Sequence, residues 1–227
     1  MSNKQNLQEN QAAEVIATTG AWVETNKKNI ISIVVAVVVI VGGYLGYTYG
    51  YQHPREEKAQ TLCTDGLQYV QSSDFETALN GEGTFPGYIK IAEDYSGTDG
   101  ANLANLYAGI CFAQQNKYQE ALPYLEAYKP GNDQSVSAMA LFALAQCYAA
   151  TNNLDKAVAT FVAAAEQANN AALSPMCLVE AGKLLESQEK KDEALKLYEQ
   201  IKNNYPTSTM VVGSPAEIEK YIERAKK

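Results

Sequence analysis

The chain has 227 residues, 46% of them apolar and 19% charged, a balance that excludes wholesale disorder and collagen-like structure. A single His leaves no His-based metal cluster. The net charge of −8 is carried by residues 30–227, because Lys4, Lys27 and Lys28 offset Glu9, Glu14 and Glu24 in the first 29 residues. An acidic body of this kind repels nucleic acid.

In residues 1–29, Ala12, Val15, Ile16, Thr19, Trp22 and Val23 follow i, i+3, i+4, i+7 spacing. That predicts an amphipathic helix interrupted at Gly20, suited to lying against a membrane surface. The first ten residues, rich in Gln and Asn, read as disordered. Residues 30–51 carry no charge and open with IISIVVAVVVIV. At 1.5 Å per residue the run spans about 33 Å, enough for a hydrocarbon core of roughly 30 Å. It lies too far from the N-terminus and is too long for a cleaved signal peptide, and no A-x-A site follows, so it reads as an uncleaved transmembrane anchor. Lys27 and Lys28 abut its N-side, which places the N-terminus in the cytosol and the rest of the chain outside. Trp22 before the run and Tyr44, Tyr47, Tyr49 and Tyr51 at its far end suit interfacial aromatic belts. Gly42, Gly46 and Gly50 form a doubled GxxxG, and Ser32, Ala36, Gly43, Gly46 and Gly50 fall on a 3.5-residue stripe. Small residues at this spacing let two helix backbones approach in lipid, so Ala36, Gly42, Gly43, Gly46 and Gly50 are candidate packing positions for a partner's membrane helix.

The remaining chain repeats. Three stretches align to the 34-residue tetratricopeptide (TPR) pattern of two antiparallel helices with small residues where they cross. NLANLYAGICFAQQNKYQEALPYLEAYK carries Gly109, Phe112, Tyr118, Ala121 and Leu125. MALFALAQCYAATNNLDKAVATFVAAAE carries Ala145, Tyr148, Leu154, Ala157, Phe161 and Ala164. CLVEAGKLLESQEKKDEALKLYEQIKNNYP carries Gly182, Leu185, Ala194, Tyr198, Ile201 and Pro206. Asn116-Lys117, Asn152-Asn153 and Lys190-Lys191 read as the loops between the helices of each pair. A degenerate unit precedes them, with Gly66, Tyr69, Phe75 and Ala78 at matching offsets, a loop over residues 80–85 and a displaced helix over 86–95 that Pro86 would open. Pro123 falls inside a second helix, which predicts a late start or a distortion there. Ser214 as N-cap with Glu217 as capping-box partner predicts a C-terminal helix that closes the stack.

The expected architecture is therefore all-α: a segment over 1–29, a transmembrane helix over 30–51, a degenerate TPR unit with an insert over 52–100, three TPR units over 101–212 and a capping helix over 213–227. The non-core face of the first helix of each pair should line a concave groove. By offset, that face presents Leu103, Leu106 and Ile110, then Met139, Phe142 and Gln146, then Met176, Val179 and Lys183. The lining is apolar and, with Lys183 as its lone cation, unlike a clamp for a carboxylate tail; it suits an apolar segment or amphipathic helix.

No catalytic constellation, nucleotide-binding loop or cofactor site emerges. Cys63, Cys111, Cys147 and Cys177 lack C-x-x-C spacing and read as small apolar filling, while DYSGTDG over 94–100 lacks the Gly and the final carboxylate of a calcium loop.

The lead, the anchor preceded by basic residues and the exported TPR body together resemble membrane-anchored TPR proteins related to the ancillary subunit of the bacterial Sec translocon. FETALNGEGTFPGYIKIAEDY followed by NLANLYAGICF resembles the Bacteroidetes-type version. The resemblance implies a bacterial inner-membrane protein with a periplasmic domain, near translocon subunits and a membrane-anchored periplasmic chaperone of the prolyl isomerase type. The function expected is a non-enzymatic, membrane-tethered interaction module that supports that chaperone or emerging client chains. A TPR scaffold for envelope assembly or division is the alternative.

Overall fold

A computed structural model of the chain describes residues 2–213 and 216–227, with backbone only at residues 2–21, 23 and 30. Two compact units result, Met1–Pro54 and Arg55–Lys227. The first is helix α1 (Ser2–Tyr47) followed by a π turn (Thr48–Gln52). The backbone of α1 is helical from Ser2 onward and through Gly20, contrary to the disorder and the break expected there. One Gly costs a helix only about 1 kcal/mol, which an otherwise continuous helical sequence absorbs. The apolar run reaches a mean hydropathy of 2.5 with none of it buried, and it is the one helix among the described residues long and apolar enough to cross a membrane. Its Val and Ile side chains from Ile31 to Val41 are exposed, Val39 by 66% and Ile40 by 69%.

The second unit is all-helical. Helix α2 (His53–Gln71) leads into it, followed by α3 (Phe75–Asn80), α4 (Tyr88–Asp94), α5 (Asp99–Gln114), α6 (Tyr118–Ala127), α7 (Gln134–Ala150), α8 (Leu154–Ala168), α9 (Leu173–Ser187), α10 (Lys191–Asn204) and α11 (Glu217–Ala225). From α3 onward each helix packs on its sequence neighbours, α6 between α5 and α7, α8 between α7 and α9, α10 between α9 and α11. This is the stacked helix-pair arrangement of a repeat solenoid.

The same corner recurs four times. Ser73, Asn116, Asn152 and Glu189 each take a left-handed conformation, with φ of 60°, 60°, 62° and 59°. The amide of the next residue then reaches five residues back: Asp74 to Tyr69, Lys117 to Phe112, Asn153 to Tyr148 and Lys190 to Leu185, at 2.8–2.9 Å. This is the Schellman closure, which satisfies carbonyls that the end of a helix leaves without partners. The following residue opens the next helix, so the chain reverses in very few residues. In the last unit the corner is Glu189-Lys190, one residue earlier than Lys190-Lys191.

Small residues set the spacing within each pair. Ala78, Ala121, Ala157 and Ala194 are all fully buried. A Cβ on Gly109 would sit 2.5 Å from the Leu125 Cγ, and one on Gly182 would strike the Tyr198 ring. At Gly66 the intruding side chains are Phe85 and Tyr88 instead.

That substitution explains the first unit. Its second helix is broken into α3 and α4 by residues 81–87, which fold back through an antiparallel bridge between Glu82 and Phe85. Gly81 (φ +87°) and Gly87 (φ +86°) flank the break, and their backbones touch: a Cβ on Gly87 would lie 2.6 Å from the Gly81 amide nitrogen. Pro86 therefore precedes α4 rather than opening it. Phe85 and Tyr88 fold back as the missing packing residues. They are 5% and 0% exposed and join Tyr69 and Tyr107 in a run of ring contacts 5.1–5.6 Å apart. Helix α6 runs through Pro123 from Tyr118 without a late start. Helix α11 closes the stack by burying Ile218, Ile222 and Ala225; Ser214, the expected N-cap, lies outside the described residues.

Candidate partner-binding groove

Three helices bring part of the expected lining together. Ile110 on α5, Met139, Phe142 and Gln146 on α7, and Met176 on α9 surround one cavity of about 250 Å³, joined by Gln114 on α5, which the offsets did not single out. The spacings are i, i+4 on α5 and i, i+3, i+7 on α7, each one face of a helix. Ala138, Ala143, Leu173 and Cys177 complete the walls; offset reading passed over them because it tracked only the outermost position of each turn. The volume falls below the roughly 300–1,000 Å³ of small-molecule sites and suits side chains of a partner. Phe142 is braced from behind by Phe161, edge to face at 5.2 Å.

Leu103 lies nearer the start of α5, in a separate cavity with Gln60, Thr64 and Asp99. Leu106 and Val179 are not open to a partner. Leu106 is 4% exposed and belongs to the core between α5, α6 and α7, with Leu125 and Ala140; Val179 is 2% exposed and belongs to the core that α11 closes with Ile218 and Ile222. The next element along the stack covers both, a crossing that spacing within one helix does not reveal. Lys183 is engaged by Glu180 at 2.6 Å, which raises its pKa, so the expected lone cation is already neutralised.

Within the first unit of the chain, the glycine face is open. Nothing lies within 4 Å of a Cβ built on Gly42, Gly43, Gly46 or Gly50, and Ala36 is exposed.

The cysteines are buried free thiols. Burial pushes Cys63 and Cys111 up to about 12 and Cys147 and Cys177 up to about 11. Such thiols are poor nucleophiles at neutral pH.

Polar side chains that the repeat pattern does not contain fix the first helix of each pair. The Glu56 carboxylate on α2 accepts from the Asp99 amide at 2.7 Å and the Gly100 amide at 2.9 Å, while Thr98 accepts from Ala101, so the first turn of α5 is capped from two sides. Asn102 uses both ends of its amide on the Lys129 backbone, 2.7 and 2.8 Å away. Ser137 and Ser174, both fully buried, hold the loops before α7 and α9 through Gly131 and Asn170. Their 37-residue separation was the available signal.

With four matching corners and a stacked body in view, the family follows. The model of the tetratricopeptide repeat-like domain matches residues 20–212. The chain belongs to that family. The match begins ahead of the apolar helix and takes in the broken first unit as well as the three regular ones. No curated protein matches the chain. Repeats of this family are generally scaffolds without catalysis that bind protein partners, and the body of this tetratricopeptide-like protein is a protein-interaction module.

Proposed function

We propose that this protein is a non-enzymatic module tethered in the bacterial inner membrane, N-terminus cytosolic and repeat body periplasmic, at the exit of the Sec translocon. Its concave face holds a segment of a membrane-anchored periplasmic chaperone of the prolyl isomerase type, or an emerging client chain. One observation carries the binding part of this reading. Among the described residues of the repeat body, Met139, Met176 and Val212 are the large apolar side chains left exposed, and two of the three line the same cavity. Grouped apolar exposure on a soluble surface marks a contact site, and Met adapts to varied partners.

The anchor raises the effective concentration of that surface beside the channel, so weak binding suffices. The glycine face packs on a partner's membrane helix. In a straight α-helix, positions four apart drift by about 40° per step; the wider π turn offsets that drift between Gly46 and Gly50, keeping Gly42, Gly46 and Gly50 near one line.

Two substitution sets test this reading separately. Met139→Asp with Met176→Asp, both exposed side chains of the cavity, should abolish co-purification of periplasmic partners from detergent-solubilised membranes while leaving the helical circular dichroism unchanged. Gly42, Gly46 and Gly50 changed together to Leu should abolish crosslinking to translocon membrane helices. Recovery of cell-wall enzymes in place of translocon subunits would reassign the protein to envelope assembly.

A further inference from the structure

The charge of the repeat body is unevenly distributed. Residues 55–135 hold twelve acidic and five basic side chains, whereas residues 136–227 hold eleven and ten. The five described ion pairs all lie in the second part: Lys183–Glu180, Lys190–Asp155, Lys191–Glu189, Lys202–Glu219 and Arg224–Glu186. The negative potential of the body therefore concentrates on its first two helix pairs.

Helix α5 joins that acidic end to the apolar cavity. Ile110 and Gln114 line the cavity described above. One helical face back along the same helix, Leu103 and Asp99 line a second, open cavity of about 510 Å³, with Gln60, Thr64, Asn102 and Asn132. Asp99 is exposed, and it is the one charged side chain lining that cavity. Beside it sits the Glu56 carboxylate on the first amides of α5. The N-terminal end of a helix supplies only about half a positive charge, so two carboxylates leave the site negative. Lys129 lines the depression on the other side of Asp99, and no described ion pair joins the two. The second cavity offers a cation a carboxylate and amide oxygens; the first offers an apolar side chain Met, Phe and Ile.

Resting on the reading of the concave face as a partner groove, we infer that its occupant is a basic-ended apolar segment: apolar anchors in the cavity at Met139 and Phe142, and a Lys or Arg at Asp99. From Asp99 to Ile110 is about 17 Å along α5. That distance corresponds to about five residues of extended chain or eleven of helix.

The test uses the full-length protein in detergent or nanodiscs and fluorescent synthetic peptides. Each peptide carries a Phe-Leu anchor and an Arg-Arg pair, separated by five or by eleven polar residues, and is matched by a version with Glu-Glu in place of Arg-Arg. At low salt the better Arg peptide should bind at least fivefold more tightly than its Glu counterpart, and the preference should shrink at 0.3 M salt. Asp99→Asn should cut that preference to under twofold, and Asp99→Lys should reverse it, with the circular dichroism of both variants as wild type. A preference that survives both Asp99 variants, or equal binding of Arg and Glu peptides, overturns the charge assignment while leaving the groove standing. Binding that survives Met139→Asp with Met176→Asp, or the failure of every peptide to bind wild-type protein, overturns the groove itself.

Discussion

The first repeat unit and the three that follow solve one packing problem in two ways. In the regular units the second helix is continuous and delivers Leu125, Phe161 or Tyr198 four residues after its buried Ala. In the first unit that position is Glu82, inside the break, and the space against Gly66 is filled from beyond the loop by Phe85 and Tyr88. The corner before it, with Ser73 left-handed and Asp74 bonded back to Tyr69, matches the others. What defines a unit here is thus the corner and the small residue at the crossing, and a helix can be interrupted if another residue reaches the same place.

The largest expected effect separates the two solutions. Tyr88→Ala should cost about 3–5 kcal/mol and release hydrogen-exchange protection in residues 55–98 while α8–α10 stay protected. Tyr198→Ala, of similar cost, should show the reverse. Equal loss everywhere in both variants would mean the body folds as one cooperative block and the comparison has no energetic content.

Next comes the outside support. Glu56 has no counterpart in the later units, and replacing it with Gln should lower stability by about 1–2 kcal/mol in urea denaturation. A subtler contrast concerns two buried tyrosines. The Tyr88 hydroxyl donates to the Cys63 carbonyl at 3.1 Å, whereas the Tyr198 hydroxyl lies near Arg224 and Glu186 without meeting either in hydrogen-bond geometry. Tyr88→Phe should cost about 1 kcal/mol, and Tyr198→Phe should be neutral or slightly stabilising. The smallest effect should come from the corners: Ser73→Asn and Glu189→Asn should each add about 0.5–1 kcal/mol, since Asn tolerates the left-handed region and already occupies it at positions 116 and 152.

Alkaline titration offers a check across units. The thiols have raised pKa values when folded, about 11–12 against an ordinary 9.0. Burial thus favours the protonated form, and its contribution to stability is complete below pH 9 and disappears as the pH rises through 11–12. The denaturation midpoint measured from pH 7 to 11 should stay level at first and then fall; replacing all four Cys with Ala should make the decline shallower, the remainder coming from buried tyrosines such as Tyr88 and Tyr198, whose pKa values burial also raises.

Much of this was legible in the residues because repetition tests itself. Gly109, Ala145 and Gly182 at steps of 36 and 37 announced the crossings, and the run from Ile30 announced a helix that buries nothing within its own chain. The cavity between α5, α7 and α9 was half legible. Ile110, Met139, Phe142, Gln146 and Met176 converge, because the face of a single helix predicts them. Leu106 and Val179 do not, because their fate depends on the neighbouring helix pair, which no spacing within one helix encodes. The cap from Glu56 was hidden for the same reason: it joins residues 43 apart that share no pattern.

The contact between the Gly81 and Gly87 backbones has a practical consequence. The two stubs of the broken helix already meet, so the segment between them is a closed lasso whose tip, Gly83-Thr84, is exposed. Lengthening a loop that is already closed costs little, about 0.6 kcal/mol per doubling. An epitope or a small fluorescent reporter grafted at that tip should leave the stack intact and give a handle for following the protein in living cells.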